Sequence, residues 1–359
     1  MRRAFPVTPL AERIAGLIEA SGPVGVADYM ALCLFDPAHG YYATREPFGV
    51  DGDFTTAPEI SQMFGELVGI WIHESWQAAG APTAVTIAEI GPGRGTLMKD
   101  VLRTLHKLDR ALLRDATFAL VETSPRLVEV QKRTLAGAAA HPSWHPDIGT
   151  LPSQPLIIVG NELFDALPVR QYVKTPSGWR ERVVGLDERR NLAFLAGPGA
   201  PDAALLPPGA TDAPEGAIVE LAPARTALME AVAERLAANG GAALFVDYGH
   251  IEPGIGDTLQ AVRRHKYDEV LAHPGEADLT AHVDFAALAA VARAHGLDTA
   301  MTTQGDFLLR MGLLERAGAL GAMGDMALQD RLTAEVDRLA GPHGMGELFK
   351  VLEVSALRR

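Results

Sequence analysis

The chain has 359 residues, 48% hydrophobic and 21% charged, which excludes disorder and fits one large α/β domain with additions, or two domains. Its 32 basic and 45 acidic residues give a net charge of −13, which argues against non-specific nucleic-acid or anionic-membrane binding and permits a basic protein partner. No apolar stretch reaches the ~20 residues of a membrane span, and the single cysteine, Cys33, excludes an intrachain disulfide.

The N-terminal segment MRRAFPVTPLAERIAGLIEA has no secretory apolar core and is read as the first helix of the fold. Residues 8–35 carry apolar residues at helical spacing, with Leu10, Ile14, Leu17 and Ile18 on one face. Cys33 lies within this pattern as a core residue. Residues 36–61 are rich in Gly, Pro, Asp and Thr and form a long loop with aromatics. A helix follows over 59–79, and its WIHESWQAA offers an exposed aromatic face for a homodimer.

From residue 84 the rhythm changes. AVTIAEI (84–90), TFALVE (117–122), PLIIVG (155–160) and AALFVDY (242–248) are short apolar runs, and a weak further strand falls within 141–152. Helices between them, to about 108 and over 124–136 and 223–241, indicate a mostly parallel sheet covered on both faces. Residues 169–197 alternate like antiparallel strands around a PSG turn, a β-rich insertion between the fourth and fifth strands of the sheet. The segment 197–216 reads as a mobile surface loop and 250–282 as irregular. Helices over 283–297 and 306–340 precede a last strand at 347–356.

The stretch AEIGPGRGTLMKDVL (88–102) places Gly91, Gly93 and Gly95 between a strand and a helix, where backbone N–H groups face a ligand. The dinucleotide fingerprint fails because position 96 is Thr, and a P-loop fails for lack of its Lys. S-adenosyl-L-methionine is the alternative. It has no phosphates but carries cationic groups, so it requires an acid beside the loop. Glu89 supplies one, and Pro92 lies within the loop. Glu122, followed by Thr123, ends the next strand, where its carboxylate can accept from both ribose hydroxyls. Asp147 can accept from the adenine amino group, with Ile148 against the ring.

After the fourth strand comes IIVGNELFDALPVRQY (157–172), directed beyond the strand ends where the methyl donor should lie. A helical turn here sets Glu162 and Asp165, three apart, on one side. Paired carboxylates suit a guanidinium, which arrives protonated and must be oriented. The same residues, with Asn161, also suit helix capping. No His/Cys/Asp/Glu spacing reads as a metal site.

Together the strings GDFTTAPEISQMFGELVGIW, EIGPGRGTLMKDVLR, LVETSPRL, NELFDALPVRQY, GWRERVV, FVDYGH and ADLTAHVDF resemble the MidA-like methyltransferases, a family that includes the mitochondrial complex I assembly arginine methyltransferase. The resemblance runs from about Tyr29 to about Gly312. It implies a class I, Rossmann-like methyltransferase fold with S-adenosyl-L-methionine as cofactor. The expected organisation is an N-terminal helical region and active-site loop over 1–80, a cofactor-binding core over 81–167 and 223–359, and a substrate or partner insertion over 168–222. The resemblance further implies ω-N-methylation of an arginine in a 49-kDa-type complex I subunit, or its bacterial equivalent. The protein would lie in the cytoplasm of a bacterium or the mitochondrial matrix of a eukaryote. Carried over, the glycine loop and Glu122 bind the cofactor. The string Asp53-Phe54-Thr55-Thr56-Ala57-Pro58-Glu59 closes over the donor, and Asn161 and Glu162 line the site beneath. A non-catalytic complex I assembly module and a small-molecule methyltransferase are the alternatives.

Overall fold

The computed structural model describes residues 8–44, 56–322 and 324–356. Asp53, Phe54 and Thr55 lie outside the described residues. The chain forms two compact units, one of Thr55–Leu163, Leu228–Ile251 and Val283–Arg359, the other of Met1–Phe54, Phe164–Ala227 and Glu252–His282. The N-terminal helices and the inserted strands therefore share a unit, whereas the sequence reading kept them in separate regions.

The first unit is built on a seven-strand path: β1 (Thr86–Ile90), β2 (Thr117–Val121), β3 (Ser143–His145), β4 (Leu156–Asn161), β5 (Gly241–His250), β6 (Asp298–Thr303) and β7 (Phe349–Ala356). Their order is β6-β7-β5-β4-β1-β2-β3. β3, β2, β1, β4 and β5 are mutually parallel, and β7 runs antiparallel to β5 and β6. This is the expected α/β, mostly parallel sheet. β1 is buried throughout because helices cover both faces, so even its Thr86 and Glu89 lie in the interior. The order reverses between β1 and β4, which diverge toward β2 and β5, and that reversal opens a crevice at their C-terminal ends.

The helix Gln62–Ala78 packs on the helix Thr96–Leu108 that leaves the glycine loop. Gly65 and Gly69, four apart, allow the approach: a Cβ on Gly65 would lie 2.6 Å from Asp100 Cβ, and one on Gly69 would lie 3.0 Å from Thr104 Cβ. Phe64, Leu67, Val101, Leu105, Ile157 and Leu244 belong to the core between these helices and the sheet. Buried Glu66 on the helix Gln62–Ala78 accepts from both Arg316 and Arg103. The expected exposed aromatic face is absent. Trp71 is buried with its indole N–H on Glu353, and half-buried Trp76 donates to the Pro82 carbonyl. Ser61, capping the Met63 amide, also divides the expected 59–79 helix, so Ala57–Ile60 forms a separate turn.

In the second unit the single expected helix is two, Pro9–Ser21 and Val26–Phe35. Gly22, at φ +89°, and Pro23 end the first. Leu10, Ile14, Tyr29, Met30, Val184 and Leu279 form the core. The inserted strands Arg170–Thr175, Gly178–Leu186, Leu192–Ala196 and Ile218–Leu221 join Val24–Gly25 in an antiparallel sheet. The segment 197–216 lies largely at the surface, as expected, and is anchored at Ala210, which is buried beside Tyr172 and Val219 and whose carbonyl accepts the Trp179 indole N–H. The stretch 250–282 is not irregular, because it holds the three-stranded sheet Gln260–Arg263, Lys266–Asp268 and Asp278–Thr280.

Candidate active site

Beyond β1 the chain turns through Gly91-Pro92-Gly93-Arg94-Gly95, closed by Gly95 N donating to the Pro92 carbonyl at 2.7 Å. Gly91, Gly93 and Gly95 have φ of +65°, +51° and +81°, where any side chain is strained. A Cβ on Gly91 would also fall 2.9 Å from Leu163 Cδ1. Arg94 is 3.7 Å from Glu59 Oε1, a local ion pair. Gly95 caps the helix Thr96–Leu108 and has no side chain to engage its first amides.

Glu89, the penultimate residue of β1, is buried and accepts from the Met98 amide of that first helical turn. Its Oε2 atom is buried and has no hydrogen-bond partner among the described residues, and the same holds for Asn161 Oδ1 at the end of β4. Burial raises the Glu89 carboxyl to about 8, against the Met98 bond and aided by the Glu122 charge. A buried acceptor without a donor is costly, so both atoms are prepared for a ligand that brings N–H or O–H groups.

Glu122 follows β2. Its Oε1 accepts the Ser124 amide at 2.7 Å and its Oε2 accepts Gln131 Nε2 at 3.0 Å. The Thr123 amide is a third donor to the carboxylate, which with about four lone-pair sites keeps room for a ribose hydroxyl. Burial raises its pKa, and the Ser124 and Gln131 bonds oppose the rise. Thr123 is exposed. Gln131, which the sequence reading missed, is fully buried and also donates to the Gly93 carbonyl at 2.8 Å while accepting the Trp144 indole N–H at 2.9 Å. It thereby ties the glycine loop to β2 and β3. The signal was present, because Gln131 lies four residues after buried Leu127, a polar residue on an apolar helix face. Asp147 is exposed and its Oδ1 caps the Thr150 amide, while Ile148 beside it is buried.

Glu162 has φ +50°, the left-handed region. Its amide donates to the Val246 carbonyl, and its Oε1 receives Asn161 Nδ2 at 3.1 Å and the Ala57 amide at 3.4 Å. Thr56 caps that turn and Pro58 is buried within it. The expected helical turn uniting Glu162 with Asp165 does not form. The backbone at Glu162 is left-handed, and a turn closed by Leu167 N on the Phe164 carbonyl follows. Asp165 belongs to the second unit, where its carbonyl accepts from Ala281 N and Arg225 Nη2. Among the described residues no cluster of three His, Cys, Asp or Glu side chains could hold a metal.

Residues 67–303 match a family model described as "Putative S-adenosyl-L-methionine-dependent methyltransferase". The chain belongs to this family. The human protein arginine methyltransferase NDUFAF7, mitochondrial, is 38% identical over 96% of the chain and 82% of its own length. The Drosophila melanogaster homolog is 34% identical over 96% and 84%. A crystal structure from Burkholderia thailandensis bound to S-adenosyl-homocysteine is 30% identical, covers 98% of this chain and 95% of its own, and superposes with a TM-score of 0.85. The fold is thus that of the class I methyltransferases, and S-adenosyl-L-methionine is the family's cofactor.

The residues present fit that cofactor. The orphaned Glu89 Oε2 suits a cationic amino group, and the acceptor site that Glu122 keeps beside its Ser124, Thr123 and Gln131 bonds suits a ribose hydroxyl. The uncapped helix start and the glycine turn leave room for close backbone approach. No helix among the described residues is long and apolar enough to cross a membrane.

Proposed function

We propose that this family member methylates an ω-nitrogen of arginine in a protein substrate, the target being the 49-kDa-type subunit of respiratory complex I or its bacterial equivalent. The reading is supported by the relatives of 34–38% identity that carry the name protein arginine methyltransferase over nearly the whole chain. The observation within the molecule that carries it is Glu162, a carboxylate held at the mouth of β4 by Asn161 and the Ala57 amide.

Gly91, Pro92, Gly93 and Gly95 form the cradle for the cofactor, with Glu89 at its amino group and Glu122 and Thr123 at its ribose. Asp147 and Ile148 flank the adenine, and Thr56, Pro58 and Asn161 border the donor side. S-adenosyl-L-methionine, when bound, supplies an electrophilic methyl group. The chain's own residues do the rest. Glu162 accepts N–H groups of the guanidinium and concentrates its positive charge away from the nitrogen that attacks. Held in line, that nitrogen forms its bond as the methyl–sulfur bond breaks, and the proton it sheds leaves toward the carboxylate. Since no helical turn brings Asp165 to the same side, the guanidinium contact is assigned to Glu162.

The test is incubation of the purified chain with isotopically labelled S-adenosyl-L-methionine and the recombinant complex I subunit, followed by mass spectrometry of peptides. Label on an arginine is the expected result. Donor binding without label on any arginine would overturn the assignment.

A further inference from the structure

The strand Leu192–Ala196 pairs antiparallel with Gly178–Leu186, and among the described residues no strand pairs with its other side. The phase of that ladder is fixed at both ends. Asp187 N donates to the Asn191 carbonyl, and Gly197 N donates to the Glu181 carbonyl. Successive residues of an antiparallel strand turn their N–H and C=O groups to alternate sides. Asn191, Ala193, Leu195 and Gly197 therefore turn theirs to the neighbouring strand, and Leu192, Phe194 and Ala196 turn theirs outward. Pro198, which has no N–H, closes that outward row.

Such an edge is a template for another strand, and soluble proteins guard it with charges or proline. LAFLA carries neither. Leu192 and Phe194 pack on the core of the second unit, Leu195 is 42% exposed, and the Arg182 guanidinium lies 3.7 Å from the Phe194 ring centre. The edge is thus held ready, and a preorganised edge loses little entropy on pairing.

The order of side chains along the strand fits one occupant, the strand itself. Paired with a second copy about a two-fold axis at Phe194, Leu192 meets Ala196 of that copy and Leu195 meets its Ala193. Each leucine then faces an alanine, large against small, and the two Phe194 side chains form an aromatic cross-strand pair at the axis. The outward residues fall opposite one another as hydrogen-bonded pairs, each exchanging two bonds. Charge does not oppose the contact locally. No charged residue occurs between Arg190 and Asp202, and Arg190 is held by Glu19. The net charge of −13 repels a second copy as a whole, so an uncharged strand is where two copies can meet. We infer that the edge strand Leu192–Ala196 pairs with the same strand of a second copy of the chain in a two-fold dimer. A contact of one strand is small, which makes the dimer a weak one. The inference does not rest on the methyl-transfer reading, since its test reads association alone.

The test is sedimentation equilibrium on the full chain over a range of concentrations, at low and high salt. Expected is a monomer–dimer equilibrium that strengthens with salt, because screening relieves the repulsion between two acidic chains. Ala196→Pro removes an outward N–H and no bond to the neighbouring strand. Leu195→Lys sets a charge beside the axis. Each variant should weaken dimerisation about tenfold or more while keeping the wild-type affinity for S-adenosyl-L-methionine. A chain that stays monomeric up to about 500 µM overturns the inference. So does a dimer that neither variant weakens, and so does one that high salt dissolves.

Discussion

Gln131 Nε2 donates to Glu122 Oε2 at 3.0 Å, and through that one amide the acid is joined to the glycine loop and to Trp144. The substitution Gln131→Met keeps the volume and removes the amide. It leaves the Gly93 carbonyl and the Trp144 indole N–H without this partner, at a cost of about 1–3 kcal/mol of stability per buried group. Calorimetry should show S-adenosyl-L-methionine binding about tenfold weaker, with kcat at saturating donor little changed. If only stability falls, Gln131 is a packing residue and does not position Glu122.

Glu89 should make donor binding pH-dependent. Its carboxyl titrates near 8 in the ligand-free fold and at the ordinary carboxylate value when unfolded, so the native state holds a proton that the unfolded state lacks between those values. Stability therefore falls as pH rises from about 4.5 to about 8 and then levels. Glu89→Gln should flatten that slope and raise the melting point at pH 8 and above. A cationic amino group beside Glu89 favours ionisation, so binding near neutrality should release a proton and tighten toward pH 8. Titration calorimetry in buffers of different ionisation enthalpy measures the release. Equal heats across buffers would show that Glu89 stays neutral and does not meet the cation.

The parts of the fold that were legible were those where burial leaves a compositional mark. β1, β2, β4 and β5 are apolar because helices cover both faces, and the glycine loop follows from its left-handed backbone. β6, DTAMTT, escaped notice because it is an edge strand, half-exposed and polar. The hairpin at Arg264 and His265 escaped because its turn lacks the glycine or asparagine that announces one. The positions of Glu89 and Glu122 were readable, and the structure holds Glu89 buried near the end of β1 and Glu122 just past β2. Gln131 could be picked out as a polar residue four after Leu127, but its role could not, since that depends on Gly93, Glu122 and Trp144 meeting it in space. The Glu162–Asp165 helical turn was misread because spacing alone cannot reveal the left-handed backbone at Glu162.

The Gly65–Gly69 contact sets where the loop helix stands. Alanine at Gly65 gains about 1 kcal/mol of helix propensity. Its Cβ, however, would lie 2.6 Å from Asp100 Cβ, an overpacking that costs about 1–3 kcal/mol or more. Because the contact is with the Cβ of another helix and not a flexible tip, the clash should win. Denaturant unfolding should show Gly65→Ala destabilised, more so than Gly69→Ala, and its donor affinity reduced as the helix Thr96–Leu108 moves. A Gly65→Ala protein as stable as wild type would mean that the two helices separate freely.

Glu162→Gln separates catalysis from binding. The amide keeps an acceptor for Asn161 and the Ala57 N–H but loses the charge that orients a guanidinium. Donor affinity should stay within about twofold of wild type while kcat falls about a hundredfold or more. Gly93→Val is the complement. At φ +51° a β-branched side chain is strained and occupies the space of the approaching ligand, so donor binding itself should be lost. The pair is decisive because the two failures differ. If Glu162→Gln retains full turnover, the carboxylate merely secures the strand end and the guanidinium must be oriented elsewhere. If Gly93→Val still binds donor, the glycine turn is not the cradle, and the roles given to Glu89 and Glu122 fall with it.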